Sequence, residues 1–163
     1  MRALTLLLAL LLAGCGFQLR GSFSLPFDTL HIAQPESSEL RAAIKRNIEA
    51  STQTRVVATA AESQATLIVL ADQSQKKIMS LNSAGRVREY QLERTFVFTV
   101  ANARGQEFVP QSTIRITREM TFDDAAVLSK QAEETLLWRD IQNDMVQQLM
   151  RRLAAAKLKP ADS

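Results

Sequence analysis

The sequence predicts an α+β domain in which two helices pack on one face of a roughly four-stranded, mostly antiparallel sheet. Three successive segments between residues 65 and 120 have the length and polarity pattern of strands, and two turn sequences join them into a meander. Two further segments repeat apolar residues every three or four positions, as helices that cover a sheet do. A short apolar strand before the first helix completes the sheet.

The chain has 163 residues, which is long enough for one domain and too short for two of ordinary size. Its 46% hydrophobic and 23% charged residues are typical of a folded globular protein and exclude a mainly disordered chain. The formal net charge of +3 is well below the excess of a dedicated nucleic-acid binder, so we expect no nucleic-acid partner. With a single cysteine, the fold cannot rely on internal disulfides.

The N-terminal segment has the pattern of a bacterial lipoprotein signal. Arg2 precedes a largely apolar run at residues 3–13, which spans about 16 Å as a helix and is too short to cross a membrane. The run ends in Leu-Ala-Gly-Cys, the order of a lipobox, in which the cysteine receives diacylglycerol and an acyl chain such as palmitate. We therefore predict that residues 1–14 are the signal peptide and that Cys15 is the lipid attachment site. An ordinary signal peptide that ends near a cysteine is the alternative.

The predicted lipid has consequences for the rest of the chain. Two or more acyl chains anchor a protein stably, so the mature chain needs no spanning helix. Gly16 follows the cysteine where inner-membrane lipoproteins typically carry Asp, which favours the outer membrane of a Gram-negative bacterium. We predict a lipidated N-terminal tether at residues 15–27, a single α+β domain at 28–156 and a flexible tail at 157–163.

The first part of the domain is predicted to hold a strand and a helix. Residues 29–33 form a short apolar strand that ends before Pro35. Ser37 or Ser38 can cap the following helix, whose apolar positions are spaced by three and four residues. These positions are Leu40, Ala43, Ile44 and Ile48.

Three strands follow the first helix. Residues 65–71 are a continuous apolar run, which predicts a strand buried on both faces, and the polar residues 72–81 extend it. Residues 86–101 alternate between apolar and polar side chains, and residues 112–120 do the same, so each has one face on the core and one face in water. Asn-Ser-Ala-Gly and Asn-Ala-Arg-Gly turns join the strands, with Gly85 in the first turn available for a positive φ.

A long helix completes the domain. Residues 123–156 repeat large apolar side chains every four positions from Leu137 to Leu153, and Leu128 is predicted to broaden this stripe. At 1.5 Å per residue the helix exceeds about 45 Å, so we expect it to project beyond the sheet or to break once.

Motifs for catalysis or cofactor binding are lacking in the sequence. There is no glycine-rich phosphate loop, no cysteine pair, and no HExxH or calcium-loop pattern. His31 is the only histidine, and no nucleophile can be assigned to it. We therefore predict no catalytic residue, no metal site and no cofactor, and a protein that is not an enzyme.

Basic residues concentrate around the first predicted turn. Lys76 and Lys77 precede it, and Arg86 and Arg88 follow it, so a hairpin brings both pairs to the same end of the sheet. One interpretation is an anion site in which guanidinium groups chelate phosphate oxygens. The other is solvated charge that protects exposed strand edges. The sequence leaves both interpretations open.

Three stretches of sequence follow one another in a distinctive order. They are the lipobox running into Cys-Gly-Phe-Gln-Leu-Arg-Gly at residues 15–21, Arg-Glu-Tyr-Gln-Leu at 88–92, and a last helix with Glu-Glu at 133–134 and Trp-Arg-Asp at 138–140. Together they resemble the LPS-assembly lipoprotein (LptE) family. The resemblance covers essentially the whole mature chain and implies two helices packed on a four-stranded sheet.

The resemblance implies an outer-membrane lipoprotein in a one-to-one complex with a large lipopolysaccharide-transport β-barrel. In that complex it plugs the barrel lumen from the periplasmic side, helps the barrel assemble and is a candidate to bind lipopolysaccharide during delivery to the cell surface. An auxiliary lipoprotein of another envelope lipid-transport or secretion complex is the alternative.

The resemblance also implies a set of glycolipid-binding residues. Family members carry basic residues at the hairpin tip and a lysine early in the last helix. Lys130 matches the helix position, whereas Ser83 stands at the tip where a basic residue is expected. Arg86 or Arg88, a few residues further on, can substitute for it. The candidate lipopolysaccharide-binding residues are Arg86, Arg88, Lys130, Lys76 and Lys77.

Overall fold

The computed structural model describes residues 24–157. The predicted signal peptide, Cys15, most of the predicted tether and nearly all of the predicted tail lie outside the described residues. The described part contains five strands and two helices, with short 3₁₀ turns at Ala60–Glu62 and Asp124–Ala126. The elements are β1 Thr29–Ala33, α1 Glu39–Ser51, β2 Arg55–Val57, β3 Ala65–Leu81, β4 Val87–Ala101, β5 Glu107–Thr121 and α2 Val127–Ala154.

This architecture confirms the predicted α+β class, with one strand more than expected. The additional strand is β2, which has three residues, Arg-Val-Val, too few to show a periodicity in the sequence. Ser38 caps α1 as one of the two predicted serines, because its Oγ accepts a hydrogen bond from the backbone N–H of Arg41 at 3.2 Å.

The strands are ordered β2-β1-β3-β4-β5 in the sheet. β1 runs parallel to both of its neighbours, and β3, β4 and β5 form the antiparallel meander. β1 pairs with β3 only from Leu30 opposite Ala65 to Ala33 opposite Ile68. Beyond that point β3 pairs with β4 alone, so within the described chain one edge of β3 is unpaired as far as Leu81. The first hairpin and the C-terminal half of β5 therefore extend past β1 and β2.

Both hairpin turns have the same construction. Asn82 and Asn102 each accept two backbone N–H groups on the side-chain oxygen Oδ1, at 2.9 to 3.0 Å. Gly85 and Gly105 close the turns with φ of +74° and +78°, a conformation that costs other residues about 1–2 kcal/mol. The predicted turn chemistry is confirmed, and the two turns help to fix the register of the meander.

The core lies between the two helices and one face of the sheet. Buried residues alternate with more exposed ones along β1 and β4, so one face of each strand contributes to it. The strand members include Leu30, Ile32, Leu67, Leu92, Phe96, Phe98, Val100, Ile114 and Ile116. The helix members include Ile44, Ile48, Ile141, Met145, Leu149 and Leu153. Because all of them belong to one cluster, both helices pack on the same face of the sheet, as predicted.

The prediction that residues 65–71 are buried on both faces is wrong. Leu67 is buried, whereas Ile68 and Leu70 are 37% and 51% exposed. Both helices cover the same face, so no described element covers the other. The polar residues 72–81 do continue the same strand, as predicted.

α2 is one continuous helix of 28 residues, about 42 Å long. Its C-terminal part packs on the core, and the predicted stripe from Leu137 to Leu153 is confirmed. Its N-terminal part projects beyond the core without a break, since Leu128 and Leu136 are 83% and 58% exposed. The expectation that Leu128 broadens the buried stripe is therefore wrong.

Leu149→Ala is expected to lower the free energy of unfolding by about 2–5 kcal/mol, because this fully buried side chain leaves a cavity when it is truncated. The matched control is Leu128→Ala on the same helix, which is expected to change this free energy by less than about 0.5 kcal/mol because the side chain is exposed. Urea-induced unfolding followed by circular dichroism measures both. Equal losses in the two variants would contradict the placement of α2.

Candidate functional site

Most of the predicted site residues lie in the part of the sheet that extends past β1. We call this part the projecting end, and define it as residues 72–94, 115–126 and the first turns of α2 at 127–138. Two contacts hold the segment between β5 and α2 against the first hairpin. The backbone N–H of Phe122 donates to the carbonyl oxygen of Arg88 at 2.8 Å, and the Phe122 ring packs edge-to-face on Tyr90 with a centroid distance of 5.3 Å.

Lys76 on β3 contacts both the sheet and α2. Its Nζ lies 2.6 Å from Oε2 of Glu134 and 4.2 Å from the ring centroid of Tyr90. A lysine over an aromatic face gains a cation–π interaction of roughly 0.5–1 kcal/mol at an exposed site. Glu134 also accepts a long hydrogen bond of 3.4 Å from the indole Nε1 of Trp138. Lys76 therefore helps to hold α2 over the projecting hairpin.

Lys130 and Arg86 lie near the junction between β5 and α2. The Nζ of Lys130 donates to Oγ1 of Thr121 at 3.0 Å and to Oε2 of Glu133 at 2.8 Å, and its side chain is 18% exposed. Arg86, just after the first turn, lies 3.6 Å from the Asp124 carboxylate and is 65% exposed. Both cations thus have carboxylate partners, Asp124 just before α2 and Glu133 within its first turns.

Lys77 and Arg88 differ from the other three candidates. Lys77 points to the face of the sheet opposite Lys76, since neighbouring strand residues alternate, and pairs with Glu93 at 3.0 Å. Arg88 is exposed and forms no ion pair with a described residue. Along β4, Arg88 is four residues, or about 13 Å, from the residue opposite Lys76. The two basic pairs therefore lie on one end of the sheet, as predicted, but do not meet at one point.

The projecting end is a mixture of charges, with no uniformly positive surface. A shallow cleft of about 290 Å³ beside the first turn is lined by the carboxylates of Glu89 and Glu119, together with Met79, Met120 and Thr121. Glu89 accepts a hydrogen bond of 2.6 Å from Ser80. Carboxylates are therefore interspersed with the cations of this region, and four of the five candidate cations are paired with one.

This arrangement can bind anions by exchange. Ion pairs at a protein surface contribute about 0–1 kcal/mol, so a competing anion displaces the carboxylate at little cost. A phosphate offers more acceptor oxygens than a carboxylate and forms short, charge-assisted hydrogen bonds with both Lys and Arg. Glu133, the partner of Lys130, is 45% exposed, and Asp124, the partner of Arg86, is 52% exposed. Both carboxylates can therefore move into solvent when an anion replaces them.

The helix-free face of the sheet is predominantly polar, as the alternation in β4 and β5 predicts. Exposed or half-buried polar side chains line both strands on this face, with Val97 of β4 among them. The polar side chains are Gln91, Glu93, Thr95 and Thr99 on β4, and Thr113, Arg115, Thr117 and Glu119 on β5. No described helix covers them. This face is available to contact a polar, hydrated surface.

The ion pair between Arg94 and Asp72 was not predicted from the sequence, although the sequence contains a sign of it. Arg94 occupies a core-side position of β4 between the buried Leu92 and Phe96, where the alternation calls for an apolar residue. Its Nε and Nη2 donate to the two carboxylate oxygens of Asp72 at 2.8 and 2.7 Å, and its Nη1 donates to Gln142 of α2 at 3.3 Å. A charged residue at a position where the alternation predicts an apolar one is the signal that could have identified this ion pair.

Residues 24–157 lack the side-chain clusters of a metal site and the helices of a membrane span. No group of three or more His, Cys, Asp or Glu side chains in residues 24–157 could hold a metal ion. His31 makes one long contact, 3.4 Å from Nδ1 to the carbonyl oxygen of Val57. Neither helix in this part of the chain is long and apolar enough to cross a membrane.

A family model described as LptE, lipopolysaccharide-assembly, matches residues 27–153. The chain belongs to the LptE family. The LPS-assembly lipoprotein LptE of Pectobacterium atrosepticum is 27% identical to this LptE-family chain over 150 residues, which cover 90% of this chain and 80% of the relative. The protein of the same name from Yersinia enterocolitica is 29% identical over 174 residues, which cover 98% and 81%.

Solved lipoprotein structures have the same fold as this LptE-family chain. The solution NMR structure of lipoprotein B from Nitrosomonas europaea has a TM-score of 0.75 and 35% sequence identity, and covers 86% of this chain and 91% of that one. The crystal structure of rare lipoprotein B from Shewanella oneidensis is similar in fold alone, with a TM-score of 0.66, 23% identity and coverage of 78% and 94%. The predicted family is confirmed, and the chain is a lipopolysaccharide-assembly lipoprotein of the cell envelope.

Arg94→Met is expected to lower the free energy of unfolding by about 1–3 kcal/mol, because it leaves the Asp72 carboxylate, only 28% exposed, without its partner. Lys77→Met is the control, since its pair with Glu93 is more exposed on the lysine side and is expected to contribute about 0–1 kcal/mol. A double-mutant cycle of Arg94→Met with Asp72→Asn, measured by urea unfolding, tests the coupling. Strictly additive losses would contradict a direct interaction.

Proposed function

We propose that this LptE-family chain is an outer-membrane lipoprotein that plugs a large lipopolysaccharide-transport β-barrel, helps that barrel assemble and binds lipopolysaccharide on its way to the cell surface. Acyl chains on Cys15 anchor it to the membrane. The domain lies on the periplasmic side and within the barrel lumen, in a one-to-one complex. Its role is not catalytic, because it acts through docking and reversible ionic contacts.

The polarity of the helix-free sheet face is the main support for the proposed plug role. The lumen of an outer-membrane barrel is polar and hydrated, so a plug must present polar side chains to it. The threonines, glutamates and arginine on this face of β4 and β5 supply hydrogen-bond donors and acceptors for such contacts. The apolar face of the sheet is already covered by α1 and α2, which leaves the polar face as the free docking surface.

The cations of the projecting end support the lipopolysaccharide-binding role. Lipid A carries phosphate groups, which match Lys130 and Arg86 in charge and in hydrogen-bonding geometry. Arg88, Lys76 and Lys77 are further candidates on the same end of the sheet. When phosphate replaces a carboxylate, the cation stays paired in both states, so binding is readily reversed. A protein that passes its ligand on requires that reversibility.

Gentle detergent extraction of the tagged, acylated protein from outer membranes is expected to recover a one-to-one complex with a large, heat-modifiable β-barrel, identified by its mass. The physical reason is the polar face, which has no covering element in residues 24–157 and docks on the lumen wall. An unrelated tagged lipoprotein, extracted in the same way, is the control. Recovery of the protein alone, or with a soluble or inner-membrane component, would overturn the plug role and favour an auxiliary lipoprotein of another envelope complex.

Lys130→Gln and Arg86→Gln are each expected to weaken binding of purified lipopolysaccharide about tenfold, because each removes a charge-assisted hydrogen bond to phosphate. The matched control is Lys45→Gln on α1, which breaks a lysine–glutamate pair, Lys45 to Glu49 at 3.9 Å, far from the projecting end in sequence. Binding is measured by calorimetric titration of the acylated protein in detergent. If Lys45→Gln weakens binding as much as Lys130→Gln, the attraction is a general charge effect and the assigned site is wrong.

A further inference from the structure

A second cleft lies away from the exposed cations of the hairpin tip. It opens between the start of α1 and the middle of α2, above β3 and β4, and has a volume of about 400 Å³. Ligand pockets in proteins typically measure roughly 300–1,000 Å³. The lining residues used below are Glu39 on α1, Ser74 on β3, Arg94 on β4, and Trp138, Arg139 and Gln142 on α2.

The two walls of this cleft carry opposite charges that do not meet. Arg139 and Glu39 are both exposed and line the same cleft, yet neither forms an ion pair or a side-chain hydrogen bond with any residue between 24 and 157. Over the same residues the hydroxyl of Ser74 has no hydrogen-bond partner. The cleft therefore presents free donors on one side and free acceptors on the other.

Arg94 and Gln142 form the floor of the cleft in a fixed geometry. Asp72 binds two of the three guanidinium nitrogens of Arg94, and the third donates to Gln142. The charge of Arg94 is thereby neutralised by Asp72, and that of Arg139 is matched by Glu39. Each arginine of the cleft thus has a carboxylate beside it or on the opposite wall, so the cleft has no excess of positive charge and is not built for a bare phosphate.

Trp138 supplies a large amphipathic surface in this cleft. It is half-buried, packs against the core and donates from Nε1 to Glu134, which is itself held by Lys76 at 2.6 Å. An indole combines an apolar ring with a polar edge, so it can pack against the C–H groups of a polyhydroxylated ring while neighbouring side chains bind the hydroxyl groups.

We propose that this cleft binds a single sugar ring of the saccharide part of lipopolysaccharide. The indole of Trp138 packs against the ring, Arg139 donates hydrogen bonds to its oxygens, and Glu39 accepts hydrogen bonds from its hydroxyl groups. The inference rests on the proposed lipopolysaccharide-binding function and adds a sugar contact, separate from the phosphate contacts at the tip. It accounts for Arg139 and Glu39, which have no polar partner between residues 24 and 157, and for the large aromatic side chain that lines the same cleft.

Trp138 is the single tryptophan of the chain, so all tryptophan fluorescence comes from a side chain that lines this cleft. The acylated protein, in a detergent without a sugar headgroup, is titrated with the lipid-free core oligosaccharide that mild acid releases from lipopolysaccharide. A saturable change in fluorescence is expected. Calorimetric titration of the same samples gives an affinity that does not depend on the optical signal.

Arg139→Gln and Glu39→Gln are each expected to weaken oligosaccharide binding about fivefold or more, in line with the loss of one hydrogen bond to a charged group. Lys130→Gln is the matched control, because it removes a cation of the proposed phosphate site and is expected to leave oligosaccharide binding unchanged while it weakens binding of whole lipopolysaccharide. Both Arg139 and Glu39 are exposed, so their variants are expected to keep the urea midpoint of the parent protein.

The outcomes separate the two proposals. If whole lipopolysaccharide binds but the oligosaccharide produces neither heat nor a fluorescence change, the sugar site is wrong and the proposed function stands. If the oligosaccharide binds and Lys130→Gln weakens it as much as Arg139→Gln does, the cleft is not the site and the inference is overturned. If the oligosaccharide binds through Arg139 and Glu39 while whole lipopolysaccharide is insensitive to Lys130 and Arg86, the sugar site is supported and the phosphate contacts at the tip are wrong.

Discussion

The burial of alternate side chains of β4 against α1 and α2 determines most of this structure. Leu92, Phe96, Phe98 and Val100 are fully buried, and together they hold the central strand of the meander under the helices. Since the side-chain period of a strand is two residues, the same burial turns the polar set of β4 outward. A slip of one residue in register would exchange the two faces. The core and the polar, helix-free face are therefore two results of one constraint.

Much of the fold follows from local patterns that the sequence displays directly. The alternation in residues 86–101 and 112–120 and the two Asn-x-x-Gly turns identify the meander, because period and turn chemistry are local properties. The apolar run at residues 65–71 led to a wrong prediction of burial on both faces, since a continuous apolar run does not show how many faces of the sheet the helices cover. β2 could not be predicted because three residues are too few to show a periodicity. Its parallel pairing with β1 also joins residues about 26 positions apart along the chain.

The candidate site is harder to predict from the sequence than the fold is. Sequence identifies Lys76 and Arg86 as cations near a turn, and the family resemblance points to Lys130 in the last helix, but neither identifies the partners of these residues. Glu134 is 58 residues from Lys76, and the pairing requires the hairpin and α2 to extend past the core in the same direction. The cleft around Trp138 likewise joins α1, α2 and two strands. Such groupings of side chains depend on tertiary geometry. The sequence reveals only single exceptions to a pattern, such as Arg94 at a position of β4 where the alternation predicts an apolar residue.

The unpaired edge of β3 has a further consequence, for the protein's behaviour at high concentration. A strand edge with free N–H and C=O groups is a template on which a second chain can add, and residues 65–81 contain neither proline nor glycine to interrupt it. The adjacent Lys76 and Lys77 lie midway along this edge and are the kind of charge that discourages aggregation. Both interpretations of these lysines, as anion ligands and as edge protection, are compatible with the structure. Substituting them alters colloidal stability as well as ionic contacts, so monodispersity belongs beside every affinity measured on such variants.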